Sequence, residues 1–210
     1  MKSFRALKPF VFLLCLLPLA HLVWKGFAGE LGANPIEVIT HATGDWTLRL
    51  LLITLSITPL RKLSRLHALI QFRRMLGLFA FFYGCLHLLT YVWLDQFFDV
   101  HSMIKDIAKR PFITMGFAGF VLMVPLAITS TRKMIQRLGG KRWNRLHQLI
   151  YLSATAGAIH FYWLVKKDVS RPVLYASILA ALLAYRVILR FWPAITGFIV
   201  VRLQRQLPSE

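Results

Sequence analysis

Six apolar stretches divide the chain: Pro9 to Ala28, Trp46 to Leu60, Met75 to Leu94, Phe112 to Thr131, His147 to Val165 and Val173 to Trp192. Each approaches the roughly 20 apolar residues that a helix needs to cross a hydrocarbon core of about 30 Å. The second is the weakest, being short and carrying Asp45 and Arg49 at its start. The pattern predicts an all-α membrane protein, a six-transmembrane-helix bundle forming one domain over residues 1–210. Two polar interruptions carry structure of their own. In Gly29 to Gly44, residues Ile36, Val38, Ile39 and His41 predict a short interfacial helix. In Gln96 to Pro111, residues Phe97, Phe98, Val100, Met103, Ile104 and Ile107 are spaced as an amphipathic helix on a lipid surface. Together the two segments offer a docking platform or a membrane anchor.

Composition agrees with lipid as the solvent. Of 210 residues 57% are hydrophobic and 16% charged, and the mean hydropathy is +0.59, where soluble domains carry about a quarter charged residues. Charge placement orients the bundle, because short loops rich in Lys and Arg stay cytoplasmic. Arg61 to Arg74 holds five basic residues and no acids, and Arg132 to Arg145 holds six and no acids. Glu30, Glu37, Asp45, Asp95, Asp99, Asp106 and Asp168 fall on the other side. Both termini are therefore expected in the cytoplasm, with Lys2, Arg5 and Lys8 at the head and Arg186, Arg190, Arg202 and Arg205 near the tail. The net charge of +18 is thus a topology signal, and nucleic acid is not an expected partner. The head also fits a signal peptide ending at Gly26 to Ala28, but its apolar run is long enough to stay as an anchor. Cys15 and Cys85 form no CxxC pair, so disulfide, zinc and covalent haem attachment lack their signatures.

Ionisable side chains inside a membrane are costly and mark functional sites. Three histidines stand in a related arrangement: His87 in the third stretch, and His147 and His160 in the fifth. Both stretches follow a basic loop. At 1.5 Å per residue His87 lies about 18 Å from the start of its helix and His160 about 20 Å. Two imidazoles at one depth supply the axial ligands of a haem iron, and a bis-histidine iron carries electrons because no position stays open for substrate. Gly77, Gly84, Ala154, Ala156, Gly157 and Ala158 make room for a flat macrocycle or serve close helix packing. His147, 13 residues before His160, points about 140° away on an ideal helix. It suggests a second, inner haem level that the sequence leaves incomplete: the start of the third stretch offers Arg73 and Arg74 but no histidine, and the loop residue His67 is the only nearby imidazole. Arg49, Arg110 and Arg171 are candidates for haem propionates or for snorkelling; His41 and His101 read as surface residues. Trp24, Trp46, Trp93, Trp163 and Trp192 fall near the expected interfaces. Neither GxGxxG nor GxxxxGK[ST] occurs, so electrons would come from a membrane quinol or a soluble flavin partner.

Nine short segments in register add a resemblance. They are LGANP (31–35), HATG (41–44), ITPLR (57–61), RRMLGL (73–78), LHL (86–88), RP (110–111), TST (129–131), LHQLIY (146–151) and IH (159–160). The chain resembles the MsrQ (YedZ) family, the haem-binding membrane subunits of periplasmic methionine-sulfoxide reductase systems, within the ferric-reductase-like transmembrane group. The resemblance implies a bacterial inner-membrane subunit with b-type haem and FMN. Its donor would be the quinone pool or a cytosolic flavin reductase, and its partner a periplasmic molybdenum-cofactor subunit that repairs oxidised methionine. The family's haem histidines carry over to His87, His147 and His160; the fourth histidine of the wider group falls on Arg73. Competing readings are a transmembrane ferric or cupric reductase, a proton-coupled small transporter, and a pure anchoring subunit. The first lacks an attached flavin and NAD domain, and the second lacks intramembrane acids.

Overall fold

In the computed structural model residues 2–204 are described, with side chains placed for 6–191. Arg205 lies outside the described residues, as do the side chains of Lys2, Arg5, Trp192 and Arg202. Every regular element is helical: α1 (Lys2–Phe27), α2 (Pro35–Ser64), a 3₁₀ turn (His67–Leu69), α3 (Ile70–Leu89), a π-helical turn (Thr90–Asp95), α4 (Val100–Lys109), α5 (Pro111–Ile128), α6 (Arg132–Leu138), α7 (Gly140–Leu146), α8 (Leu149–Leu164) and α9 (Ser170–Gln204). Four segments are long and apolar enough to cross a membrane: Ala6–Phe27, His67–Asp95, Pro111–Ile128 and Ser170–Phe191.

The fold is organised around α2. Its Leu48, Leu50, Leu51, Leu52, Leu55 and Ile57 are all buried, packed with Phe72, Leu76, Phe79 and Tyr83 of α3 and with Met123, Leu126, Ile150 and Ala154 from α5 and α8. The two most extensive helix pairs are α2 with α3 and α5 with α8. Polar groups inside them are satisfied locally. Thr43 and Thr54 donate to the Ile39 and Leu50 carbonyls one turn back at 2.8 and 2.7 Å, and Ser153 of α8 donates to the Gly119 carbonyl of α5 at 2.8 Å. The outer faces of α1 and α9 present Leu13, Leu17, Val187 and Ile188 outward, as lipid requires.

The interfacial helix expected before Gly44 does not form separately. Asn34 caps α2 by accepting from the Glu37 N–H, and Pro35 occupies the first turn, where its missing N–H costs nothing. One continuous 30-residue helix results, with Ile36, Val38, Ile39 and His41 in its opening turns. The second polar segment does contain its amphipathic helix, α4, capped by Asp99 accepting from His101 and Ser102.

Pro9, Pro18, Pro59 and Pro125 lie inside helices, and beside two of them a side chain from another helix enters the ladder. Pro59 cannot bond the Leu55 carbonyl, and Arg186 of α9 donates to it instead. In α1, beside Pro18, the Tyr83 hydroxyl of α3 inserts into the ladder: it donates to the Cys15 carbonyl at 2.8 Å and accepts from the Leu19 N–H at 3.1 Å.

Candidate functional site

Where α3 and α8 face each other, the rings of His87 and His160 stand 6.1 Å apart, centroid to centroid, inclined at 74°. Each is fixed in the same way. His87 Nδ1 donates to the Thr40 carbonyl of α2 at 3.0 Å, and His160 Nδ1 to the Phe112 carbonyl of α5 at 2.6 Å. A carbonyl only accepts, so both rings carry their proton on Nδ1 and keep Nε2 as a free lone pair.

Thr40 and Phe112 each lie one turn before a glycine, and that glycine is the surface against which the ring rests. A Cβ on Gly44 would sit 3.0 Å from His87 Cε1, and one on Gly116 only 2.7 Å from His160 Nδ1. A methyl at Gly116 would force the His160 ring to shift, and one at Gly44 would crowd the His87 ring. The two halves are copies of one design: a helix with a carbonyl and a glycine, then a helix bringing a histidine to both. The hydrogen-bonded residues are 47 apart in one half and 48 in the other.

Around the two rings, from the end of the bundle near α4 to Leu51, Met123 and Ser153, runs a cavity of about 680 Å³, within the ~300–1,000 Å³ typical of cofactor pockets. Its walls are apolar (Leu48, Leu51, Phe120, Met123, Phe161), and Gly84 and Gly157, each three residues before a histidine, leave its floor flat. Arg110 and Arg171 stand at its mouth with His41. Tyr91, on the π-helical turn, lines it with a buried hydroxyl that has no partner. Such turns recur at functional sites because they re-aim side chains.

These features fit a haem. Metal–imidazole bonds of about 2 Å put the centroids of two trans imidazoles on the order of 6 Å apart. Among the described residues no cluster of three or more His, Cys, Asp or Glu could cage a bare ion; a porphyrin brings its own equatorial nitrogens. Tyr91, Arg110 and Arg171 are donors suited to carboxylates.

Other expected residues fall elsewhere. Arg49 turns from the cavity to Asp45 at 3.2 Å and the Tyr175 hydroxyl at 2.7 Å. Gly77 packs on Thr54, and Ala154 and Ala158 belong to the core, so these three serve helix packing. His147 lies at the opposite end of α8, stacked on Trp143 at 3.8 Å and donating from Nδ1 to the Trp143 carbonyl at 3.1 Å. Its Nε2 is buried without a partner. Arg73 is half-buried within electrostatic reach of it, alongside Tyr151 and Arg186. Arg74 and His67 are exposed. Sequence reasoning passed over Thr40, Gly44, Phe112, Gly116 and Tyr91. The signal for the glycines was present: Gly44 and Gly116 precede the two histidines by 43 and 44 residues.

The family model described as "Ferric reductase like transmembrane component" matches residues 43–158, from the opening turns of α2 almost to His160, so the chain is a membrane protein of that class. Within the class it belongs to the MsrQ family. It is 54% identical over 188 residues to the protein-methionine-sulfoxide reductase heme-binding subunit MsrQ of Herminiimonas arsenicoxydans, covering 89% of this chain and 85% of that one. The same-named protein of Azospira oryzae is 52% identical over 198 residues, covering 91% and 85%. That of Caulobacter vibrioides is 51% identical over 177 residues, covering 84% of each.

Proposed function

We propose that this chain is the b-haem electron-transfer subunit of a bacterial methionine-sulfoxide reductase system. It crosses the inner membrane six times, by α1, α2, α3, α5, α8 and α9, as one domain with both termini cytoplasmic. The α4 end faces the periplasm, because the basic segments Arg61 to Arg74 and Arg132 to Arg145 lie at the other end. The observation that carries the reading is the pair of facing imidazoles, 6.1 Å apart with both Nδ1 protons committed to backbone carbonyls.

His87 and His160 would hold the iron through their Nε2 atoms. When bound there, a bis-histidine haem supplies one-electron transfer and no open coordination position. Thr40 and Phe112 fix ring orientation and tautomer, and hydrogen bonds of this kind raise ligand basicity. Leu48, Leu51, Phe120 and Phe161 exclude water, while Tyr91, Arg110 and Arg171 are the donors that would hold the carboxylates of the bound group. The buried Nε2 of His147 beside Arg73 is the candidate inner position, with Arg73 in place of an imidazole. Electrons from the quinone pool or a cytosolic flavin reductase would leave at the α4 end for a periplasmic molybdenum-cofactor subunit; FMN rests on family resemblance alone.

The visible spectrum of the detergent-solubilised chain tests this. Sharp low-spin b-haem bands on reduction, lost in His87→Ala and His160→Ala, are expected; a colourless protein after expression with ample haem would end the proposal.

A further inference from the structure

Charge divides unevenly between the two ends of the bundle. No Asp or Glu occurs in 46–94, 107–167 or 169–209, so the α7 end has no carboxylate of its own among the described residues; Glu210 lies outside them. The ion pairs among the described residues, on Asp45 and Asp106, are all at the α4 end. Basic side chains at the α7 end such as Lys62, Arg65, Arg74, Arg132, Arg142 and Arg145 are exposed to solvent. Arg61, Arg73 and Arg186 are not: each is half-buried, and each comes from a different helix, α2, α3 and α9.

The three least solvated cations are also gathered together. Arg73 lies within electrostatic reach of both Arg61 and Arg186. Arg186 is fixed in place: it donates to the Leu182 carbonyl of its own helix at 2.6 Å and to the Leu55 carbonyl of α2, and its guanidinium lies 5.5 Å from the centre of the Tyr151 ring. Carbonyls and a ring face hold a guanidinium without cancelling its charge. Withdrawing three like charges from water is unfavourable unless an anion joins them. Depth says which kind. Arg73 is six residues into the apolar span His67–Asp95 and Arg186 sixteen residues into Ser170–Phe191, which runs the other way. At 1.5 Å per residue Arg73 stands about 9 Å from one membrane face, and Arg186 about 24 Å from the opposite face of a core about 30 Å thick. The two are thus nearly level, one arginine side chain's length below the headgroup phosphates. Beside them in the chain, Leu60, Ile70 and Val187 are exposed.

We propose that Arg61, Arg73 and Arg186 hold the headgroup phosphate of one anionic phospholipid from the leaflet at the α7 end, its acyl chains lying along Leu60, Ile70 and Val187. Arg61 and Arg73 offer forked N–H pairs to the phosphate oxygens, while Arg186, committed to two carbonyls, contributes its charge. Basic pockets between spanning helices take anionic headgroups in this way. A zwitterionic lipid brings an ammonium group that the same cluster repels, and a free phosphate ion has to leave water to reach arginines at this depth. The site goes beyond the electron-carrier reading and needs no haem, only that the α7 end lie in a leaflet.

The test is native mass spectrometry of the full-length protein released from detergent micelles and titrated with dioleoyl phosphatidylglycerol or dioleoyl phosphatidylethanolamine. One phosphatidylglycerol is expected to stay bound, about tenfold more tightly than phosphatidylethanolamine and undisplaced by inorganic phosphate. Arg61→Gln and Arg73→Gln should each weaken it about tenfold, the loss of one charge-assisted contact. Arg142→Gln, which removes an exposed cation at the same end, should leave it unchanged. Equal retention of the two lipids, displacement by phosphate, or the same loss from Arg142→Gln as from Arg61→Gln would overturn the site. So would unchanged lipid binding in Arg73→Gln together with loss of haem, which would assign its anion to haem carboxylates. The comparison of the two lipids on the parent protein decides the matter even where a substituted chain fails to fold.

Discussion

The α4 end and the α7 end of the bundle each present histidine from α8 or its approach, yet only one end is built as a matched pair. At the α4 end His160 meets His87, and each ring has a carbonyl to fix it and a glycine to admit it. At the α7 end the Nδ1 of His147 donates to the Trp143 carbonyl of its own turn and the ring stacks on Trp143, with the charge of Arg73 in electrostatic reach. The difference teaches that a ligating histidine is recognised less by its own position than by what the neighbouring helix supplies. Two rings oriented by separate helices are preorganised for one iron. A single ring oriented by its own backbone, with a buried Nε2 left over, depends on a partner of another kind.

The largest effect expected from breaking this contrast is at the ligands. His87→Ala and His160→Ala should each remove the haem at the α4 end completely, read as the haem-to-protein ratio and the reduced visible spectrum. Next come the glycines. Gly116→Ala places a methyl 2.7 Å from His160 Nδ1 and Gly44→Ala one 3.0 Å from His87 Cε1. Overpacking of this kind costs about 1–3 kcal/mol. Both should lower haem retention and shift the midpoint potential in a redox titration, Gly116→Ala the more; equal and negligible shifts would refute the ring-on-glycine picture.

Smaller effects sharpen the comparison. Ser153→Ala removes the α8-to-α5 bond to Gly119 and should cost about 1 kcal/mol, seen as a lower thermal midpoint with an unaltered haem spectrum. Arg110→Gln and Arg171→Gln remove charges that are 56 and 70% exposed; their effect on stability should stay below about 1 kcal/mol, and the measurable change is a modest shift in haem potential. Smallest of all, at the α4 end, is His147→Ala, which should leave the haem there spectroscopically unchanged.

Much of this was legible in the residues, and the rest failed for identifiable reasons. The apolar runs of α1, α3, α5 and α9 stand out because those helices present broad faces to lipid. The weakness of the second run has the opposite cause: α2 is surrounded by protein, so Thr43, Thr54 and Asp45 are tolerated where neighbours or its own carbonyls satisfy them. The start of α2 was hidden for another reason: its largely exposed opening turns carry Glu37, Thr40 and His41 and read as loop. The depth argument placed His87 and His160 at one height, but a spacing rule cannot show that Thr40 and Phe112 face them. Those contacts are between backbone and side chain across helices, and the partner residue's identity hardly matters to them.

Electron paramagnetic resonance of the oxidised His147→Ala protein, where only the α4-end site remains, is the most direct measurement. A single low-spin ferric signal of bis-imidazole type is predicted, strongly anisotropic because the rings are inclined at 74°, and absent when His160→Ala is added. A high-spin ferric signal, or a low-spin one that survives loss of His160, would show that these two imidazoles do not share an iron.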